Sequence, residues 1–166
     1  MSKKDLREER TAEIAGTYER EALLLEKVVR HMRHEMQLLE ARDYAAFCDS
    51  VAGRGEHIDD IARLEARRRE VEAELSGLSG PGSASGPATA LHEALADPRV
   101  DEARRKAAAM HRQALELDAE LRDLARAHRT EMETKLAGLA HGRMASRAYN
   151  GHGRAKSAAV FVDKER

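Results

Sequence analysis

The chain has 166 residues, a length that fits one domain and is too short for the two-domain architecture of most cofactor-dependent enzymes. Aromatic residues make up 3% of it and charged residues 36%, a bias that is typical of long helices with a narrow apolar seam and that excludes an all-β or Rossmann-like fold. The formal net charge is -1, so no overall positive field attracts nucleic acid or anionic lipid.

The first predicted helix covers residues 5–41. Its apolar residues recur mostly at spacings of three, four and seven, as on one face of an amphipathic helix, and no proline interrupts them. Gly16 is its one weak position, at a cost of about 1 kcal/mol relative to alanine. The helix is expected to end at a short junction, where Asp43 caps the next helix by accepting a hydrogen bond from its free backbone N–H groups.

A second amphipathic helix is predicted over residues 44–75. Its seam alternates in steps of three and four, with Arg54 and Arg68 as polar breaks. Because the junction between the two long helices is short, we expect an antiparallel hairpin in which each helix covers the apolar stripe of the other.

Glycine, serine and proline dominate residues 76–90, which predicts a flexible loop. After a helical turn or two at residues 91–96, Asp97 and Pro98 mark the start of a third long helix over residues 98–140, whose seam is the most regular in the chain. The sequence therefore predicts an all-α protein: an elongated antiparallel helical hairpin plus a third long helix, forming a coiled-coil-like three-helix bundle in a single domain of residues 1–140.

The last segment, residues 141–166, is predicted to be a disordered basic tail. It carries six basic and two acidic residues, which leaves the first 140 residues with a net charge of -5. The apolar stretch at 158–162 either docks back on the helices or is a linear motif for a partner, and Tyr149 is open to the same two interpretations.

The seam of the third helix suggests a groove for a partner helix in its carboxy-terminal half. Leucine and methionine at helical spacing can receive an amphipathic helix, and methionine adapts to different partners. The residues with this pattern are Leu121, Leu124, Met132, Leu136 and Leu139. At each position the alternative stays open that the side chain simply packs on the first two helices.

No catalytic, cofactor or metal site is predicted. His31 and His34 lie three residues apart, but no further ligand accompanies them at a metal-like spacing, so we interpret them as solvated helix histidines, with metal binding left open. His128 lies in the third seam without a serine or cysteine nucleophile, which favours an interhelix contact or the edge of a partner groove. Cys48, the single cysteine, is expected to be a small buried hydrophobe and fits a reducing compartment.

The amino terminus has no apolar signal segment, and the longest aliphatic or aromatic run has five residues. A bilayer crossing needs about 20. A cytoplasmic protein without membrane insertion is therefore expected.

Four stretches of the sequence resemble the helical hairpin of FlgN-type flagellar export chaperones: LLLEK at 23–27, EMQLLEARD at 35–43, GEHIDDI at 55–61 and LEARRRE at 64–70. The order of helices, loop and tail agrees as well, and the similarity covers most of the first 140 residues. It implies a non-enzymatic cytosolic chaperone of the flagellar type III export system. Such a protein binds the terminal helical segments of hook-associated (hook-filament junction) proteins, prevents their premature association and delivers them to the export gate.

The resemblance also implies site residues. Cargo contacts are expected at Leu121, Leu124, His128, Met132, Leu136 and Leu139, and a gate contact around Tyr149 and Phe161. Two other classes remain as alternatives: a structural coiled-coil protein similar to the stalk of an export ATPase, and a nucleic-acid-binding helical protein that would use the basic tail. The sequence leaves open whether the apolar stripes close within one chain or in a homodimer.

Overall fold

The computed structural model describes residues 2–77 and 89–157, and every secondary-structure element in those ranges is an α-helix. The helices are α1 (Lys3–Glu40), α2 (Tyr44–Gly77), α3 (Thr89–Leu95) and α4 (Pro98–Ser157). The predicted all-α fold is confirmed. Most of the predicted loop at 76–90 lies outside the described residues. Over the described ranges, none of the helices has an apolar stretch of the length that a bilayer crossing requires.

A capping box begins α1. Ser2 Oγ accepts hydrogen bonds from the backbone N–H groups of Lys4, at 3.1 Å, and Asp5, at 3.3 Å, while the Asp5 side chain accepts from the Ser2 N–H at 3.0 Å. These bonds satisfy N–H groups that have no partner within the helix. Beyond the cap, α1 buries one apolar stripe, which includes Ile14, Leu25, Val29, Met32 and Leu39.

The junction between α1 and α2 turns the chain through a Schellman motif. The Asp43 N–H donates to the Leu38 carbonyl at 2.9 Å, and the Arg42 N–H donates to the Leu39 carbonyl at 3.0 Å. Arg42 has a φ of 61°, the left-handed conformation that this motif requires. The Asp43 side chain then accepts a hydrogen bond from the Ala46 N–H at 3.1 Å, so the predicted cap of the second helix is confirmed.

The hairpin of α1 and α2 is antiparallel, as predicted. Arg10 near the start of α1 forms an ion pair of 2.8 Å with Glu74 near the end of α2. Towards the junction, His31 Nδ1 lies 3.2 Å from the Ser50 hydroxyl.

Two buried clusters attach α4 to the hairpin. The first combines Ile14, Ala15, Val71, Leu75, Ala94 and Val100. The second lies further along and combines Leu25, Val29 and Ala114, with Ile61, Met110 and Leu117 packed against it. Because the contacts advance along α1 and α4 in the same sense, the beginning of α4 runs parallel to α1 and antiparallel to α2.

The chain divides into two compact units, Met1–Leu124 and Ala125–Arg166. The first unit holds the hairpin, α3, the beginning of α4 and both buried clusters. Within the described residues, the second unit consists of the part of α4 that follows Leu124. The sequence predicts a single domain of residues 1–140, and the extent of that domain stays a prediction.

The fourth helix continues beyond its predicted end. The sequence predicted an end near residue 140, but the helix runs to Ser157. Hydrophobic periodicity stops at His141, and that pattern reports tertiary packing rather than the helix itself. Three glycines in 141–157 cost about 1 kcal/mol each, but no proline removes a backbone hydrogen bond there.

Cys48 corrects another expectation, because its side chain is exposed rather than buried. Its neighbours Ala46 and Phe47 are half-buried.

Candidate partner-binding surface

The predicted cargo residues on α4 fall into two groups. Leu121 is 4% exposed and Leu124 is half-buried, and both belong to the unit Met1–Leu124. At Leu121 the side chain packs inside this unit, which is the alternative that the sequence left open. A partner therefore cannot reach Leu121 in this structure.

Three other predicted residues form an exposed apolar face, which we call the α4 stripe: Met132, Leu136 and Leu139. They are 43%, 64% and 64% exposed, and steps of four and three place them on one side of the helix. His128, one turn before Met132, is half-buried. Every described side chain from 132 to 147 is exposed, so the α4 stripe is open to solvent.

Ion pairs flank the α4 stripe on both sides. Arg129 Nε lies 2.8 Å from Glu133 Oε1, and Lys135 Nζ lies 2.6 Å from Glu131 Oε1. Each pair joins residues four apart, which stabilises an isolated helix by about 0.2–0.5 kcal/mol. The flanks thus support the helix while the apolar face between them stays uncovered.

Tyr149 lies away from the α4 stripe. It is 85% exposed and follows Leu139 by nearly three turns of α4, which rotates it about 80° around the helix axis from that residue. The structure therefore does not bring Tyr149 onto the face predicted for cargo. Phe161 lies outside the described residues.

Two cross-helix ion pairs inside the hairpin were not foreseen from the sequence. Arg54 Nε donates to Glu35 Oε1 at 3.1 Å, and Arg68 pairs with Glu21. Both carboxylates are buried, at 0% and 6% exposure, so each charge has its partner where water is excluded. The Arg68 guanidinium also lies 4.1 Å from the ring centroid of Tyr18. Burial raises the pKa of Tyr18, although the positive charge of Arg68 acts in the opposite direction.

A sequence signal for these pairs existed. The two arginines that interrupt the seam of α2 are 14 residues apart, and so are the two glutamates on α1, which corresponds to two heptads on each helix. A search for opposite charges at the same heptad spacing on the two helices would have identified the pairs. Considered without the glutamates, Arg54 and Arg68 were interpreted as polar breaks in an apolar seam.

His31, in α1, contacts α2 across the hairpin. Its ring centroid lies 5.4 Å from that of His57, and its Nδ1 faces Ser50. His34 is exposed. In residues 2–77 and 89–157 there is no group of three or more His, Cys, Asp or Glu side chains that could hold a metal ion.

The family model described as FlgN protein matches residues 3–157, which is most of the chain. No curated protein and no solved structure shows a significant match. Because the family model spans all four helices, the chain belongs to the FlgN family of flagellar chaperones.

Proposed function

We propose that this FlgN-family protein is a cytoplasmic chaperone of the flagellar type III export system that binds the terminal helical segments of hook-filament junction proteins. The observation that supports the proposal most directly is the α4 stripe, where Met132, Leu136 and Leu139 present an apolar face with the spacing of a helix-binding surface. In this role the protein keeps the segments from premature association and delivers them to the export gate.

The energetics of the α4 stripe suit a cargo that must be released. Full burial of one exposed leucine or methionine side chain contributes about 1.5–3 kcal/mol, and the three residues, already partly covered, contribute less than three times that amount. Ordering a disordered cargo segment offsets about 2–5 kcal/mol of this gain. The expected affinity is therefore moderate, and the ion pairs beside the α4 stripe keep the complex soluble.

We place the contact with the export gate at Tyr149. Its exposure and its displacement around the helix from the α4 stripe leave it accessible while cargo is bound. Phe161 belongs to the same hypothesis, on the strength of the sequence.

Co-purification tests the cargo surface. The full-length protein is mixed with peptides that span the terminal helices of hook-filament junction proteins from the same organism. The test variant is Leu136→Glu, and the matched control is Met144→Glu, because Met144 is an apolar residue of α4 with similar exposure, 68%, outside the α4 stripe. We expect binding to be lost in Leu136→Glu only, with both variants as helical as the wild type by circular dichroism.

Two results contradict this assignment. If the wild type binds none of the peptides, the export-chaperone proposal fails. If sedimentation equilibrium shows that the free wild type is a dimer that Leu136→Glu dissociates, a second copy occupies the α4 stripe instead of cargo.

A further inference from the structure

A second surface, formed by α1 and α2 alone, combines basic and apolar side chains. Residues on one face of α1, at helical spacing from 20 to 34, line two adjoining concavities that share Lys27. We call this surface the basic groove; its central residues are Arg20, Leu23, Leu24, Lys27, Arg30 and Leu64. It belongs to the unit Met1–Leu124 and has no residue of α4 in its lining.

The apolar part of the basic groove is open to solvent. Leu23 is 54% exposed, while Leu24 and Leu64 are half-buried. The concavity beside them has a volume of about 410 Å³. These three leucines form the apolar floor of the basic groove. The part of their surface that the core leaves uncovered is available to a docked segment.

Among the described residues, Lys27 and Arg30 of the basic groove form no ion pair, unlike the arginines that cross the α1–α2 interface. Arg54, Arg67 and Arg68 each bind a carboxylate of α1 across the α1–α2 interface. In contrast, no carboxylate among the described residues lies within 4.0 Å of the side-chain nitrogens of Lys27 or Arg30.

The charge of the basic groove is also not offset within its own lining. The one acidic residue there, Asp60, forms an ion pair with Arg63. Arg20, Lys27 and Arg30 keep their positive charges exposed, and His31, His34 and His57 line the far end without adding negative charge. An occupant with carboxylates beside an apolar face therefore complements both parts of the surface.

We infer that the basic groove is a docking site for an acidic amphipathic helix of a partner protein. The face from residue 20 to residue 34 is about 21 Å long, which corresponds to a helix of about 14 residues. An anionic membrane is a poorer match, because the site is a cleft between two helices and not a flat surface. Single-stranded nucleic acid is poorer as well, because no Phe, Tyr or Trp side chain is among the residues that line the cleft to stack a base.

Fluorescence polarisation tests the inference with a labelled synthetic peptide of about 14 residues, with leucines at i, i+3, i+4 and i+7 and glutamates on its flanks. A scrambled peptide of the same composition and a peptide with lysine in place of glutamate are the probe controls. The full-length protein is compared with the double variant Lys27→Glu, Arg30→Glu. The matched control is Arg112→Glu, Arg143→Glu, which reverses two exposed cations on α4 that do not line the basic groove.

We expect the acidic amphipathic peptide to bind the wild type and the control variant equally, and the affinity of Lys27→Glu, Arg30→Glu to fall by about tenfold or more. Leu23→Ser should weaken binding in the same direction, and Leu136→Glu should not change it, which separates this site from the proposed cargo surface. The inference is overturned if the scrambled peptide binds equally well, if the two double variants behave alike, or if phosphatidylserine vesicles bind and the peptide does not.

Discussion

Arg54 reaches across the hairpin to Glu35, with its Nε 3.1 Å from Oε1 of a carboxylate that is completely buried. The other oxygen of Glu35, Oε2, is buried without a hydrogen-bond partner. The guanidinium of Arg54 is thus the main compensation for a negative charge held away from water.

Removing the cation alone should therefore destabilise the protein more than removing both charges. We expect Arg54→Met to lower the free energy of unfolding by about 3–5 kcal/mol, because a buried carboxylate then lacks its counter-charge. The double variant Glu35→Leu, Arg54→Met should recover most of this loss, since an apolar pair needs no compensation. Urea unfolding followed by circular dichroism measures both, and a double variant as unstable as Arg54→Met would contradict the argument.

Acid should weaken the ion pairs that Glu13 forms with Arg10 and Arg67, at the end of the hairpin away from the α1–α2 junction. Burial acts to raise the pKa of Glu13, but hydrogen bonds from Arg10 and Arg67 outweigh it and hold the pKa below its ordinary value of 4.5. A lowered pKa in the folded state means that Glu13 stabilises the protein above the ordinary value and that this stabilisation disappears as pH falls through the lowered one. Melting temperatures between pH 7 and pH 3 should fall less in Glu13→Gln than in the wild type.

The control for this experiment is Glu116→Gln, which changes an exposed glutamate of α4. Its melting temperature should fall with pH as that of the wild type does. Identical acid profiles for the wild type and Glu13→Gln would show that the cluster around Glu13 does not contribute to the pH dependence.

The cap at the start of α2 should have a measurable effect on stability. Asp43→Ala removes the acceptor of the Ala46 N–H, and loss of such a cap costs about 1 kcal/mol. Asp43→Asn keeps an acceptor oxygen at the same place and should cost less. Thermal unfolding compares the wild type, Asp43→Asn and Asp43→Ala. Equal melting temperatures for Asp43→Ala and the wild type would show that the Asp43 cap does not stabilise the protein.

The two units should respond differently to the same truncation. Leu75→Ala opens a cavity in the first buried cluster and should cost about 2–5 kcal/mol. Leu136→Ala, at an exposed position, should change the free energy of unfolding by no more than about 0.5 kcal/mol. Comparable losses of stability in urea would mean that the α4 stripe packs in the folded protein and is not free for a partner.

Sequence patterns predicted the hairpin and its cap well, because both depend on local rules. The steps of three and four define each buried stripe, and Asp43 has the side chain that a helix start requires. The same rules placed Leu121 and Leu136 on one seam without separating them, because spacing does not tell how far along a helix its neighbours extend. The difference between a packed leucine and an exposed one needed the tertiary structure.

The end of α4 and the environment of Cys48 show where such rules fail. Periodicity disappears where the side chains of a helix are exposed on all sides, so the continuation of α4 beyond residue 140 resembles a tail in the sequence. Cysteine side chains are buried in most proteins. Cys48, however, follows the half-buried Phe47 on α2 and lies on the solvent side of that helix. In both cases the interpretation depended on an average preference rather than on the actual neighbours.

The equal spacing of the two buried ion pairs has a consequence for alternative pairings of the hairpin. If α2 slid along α1 by one heptad, the apolar stripes would still face each other, but Arg54 would lie opposite Val28 and Arg68 opposite Ile14. Four charges would then be buried against hydrocarbon without a counter-charge. The slipped hairpin is therefore unfavourable, although its apolar side chains would still pack against each other. The two salt bridges thus select one alignment of the helices among several that the hydrophobic pattern alone would allow.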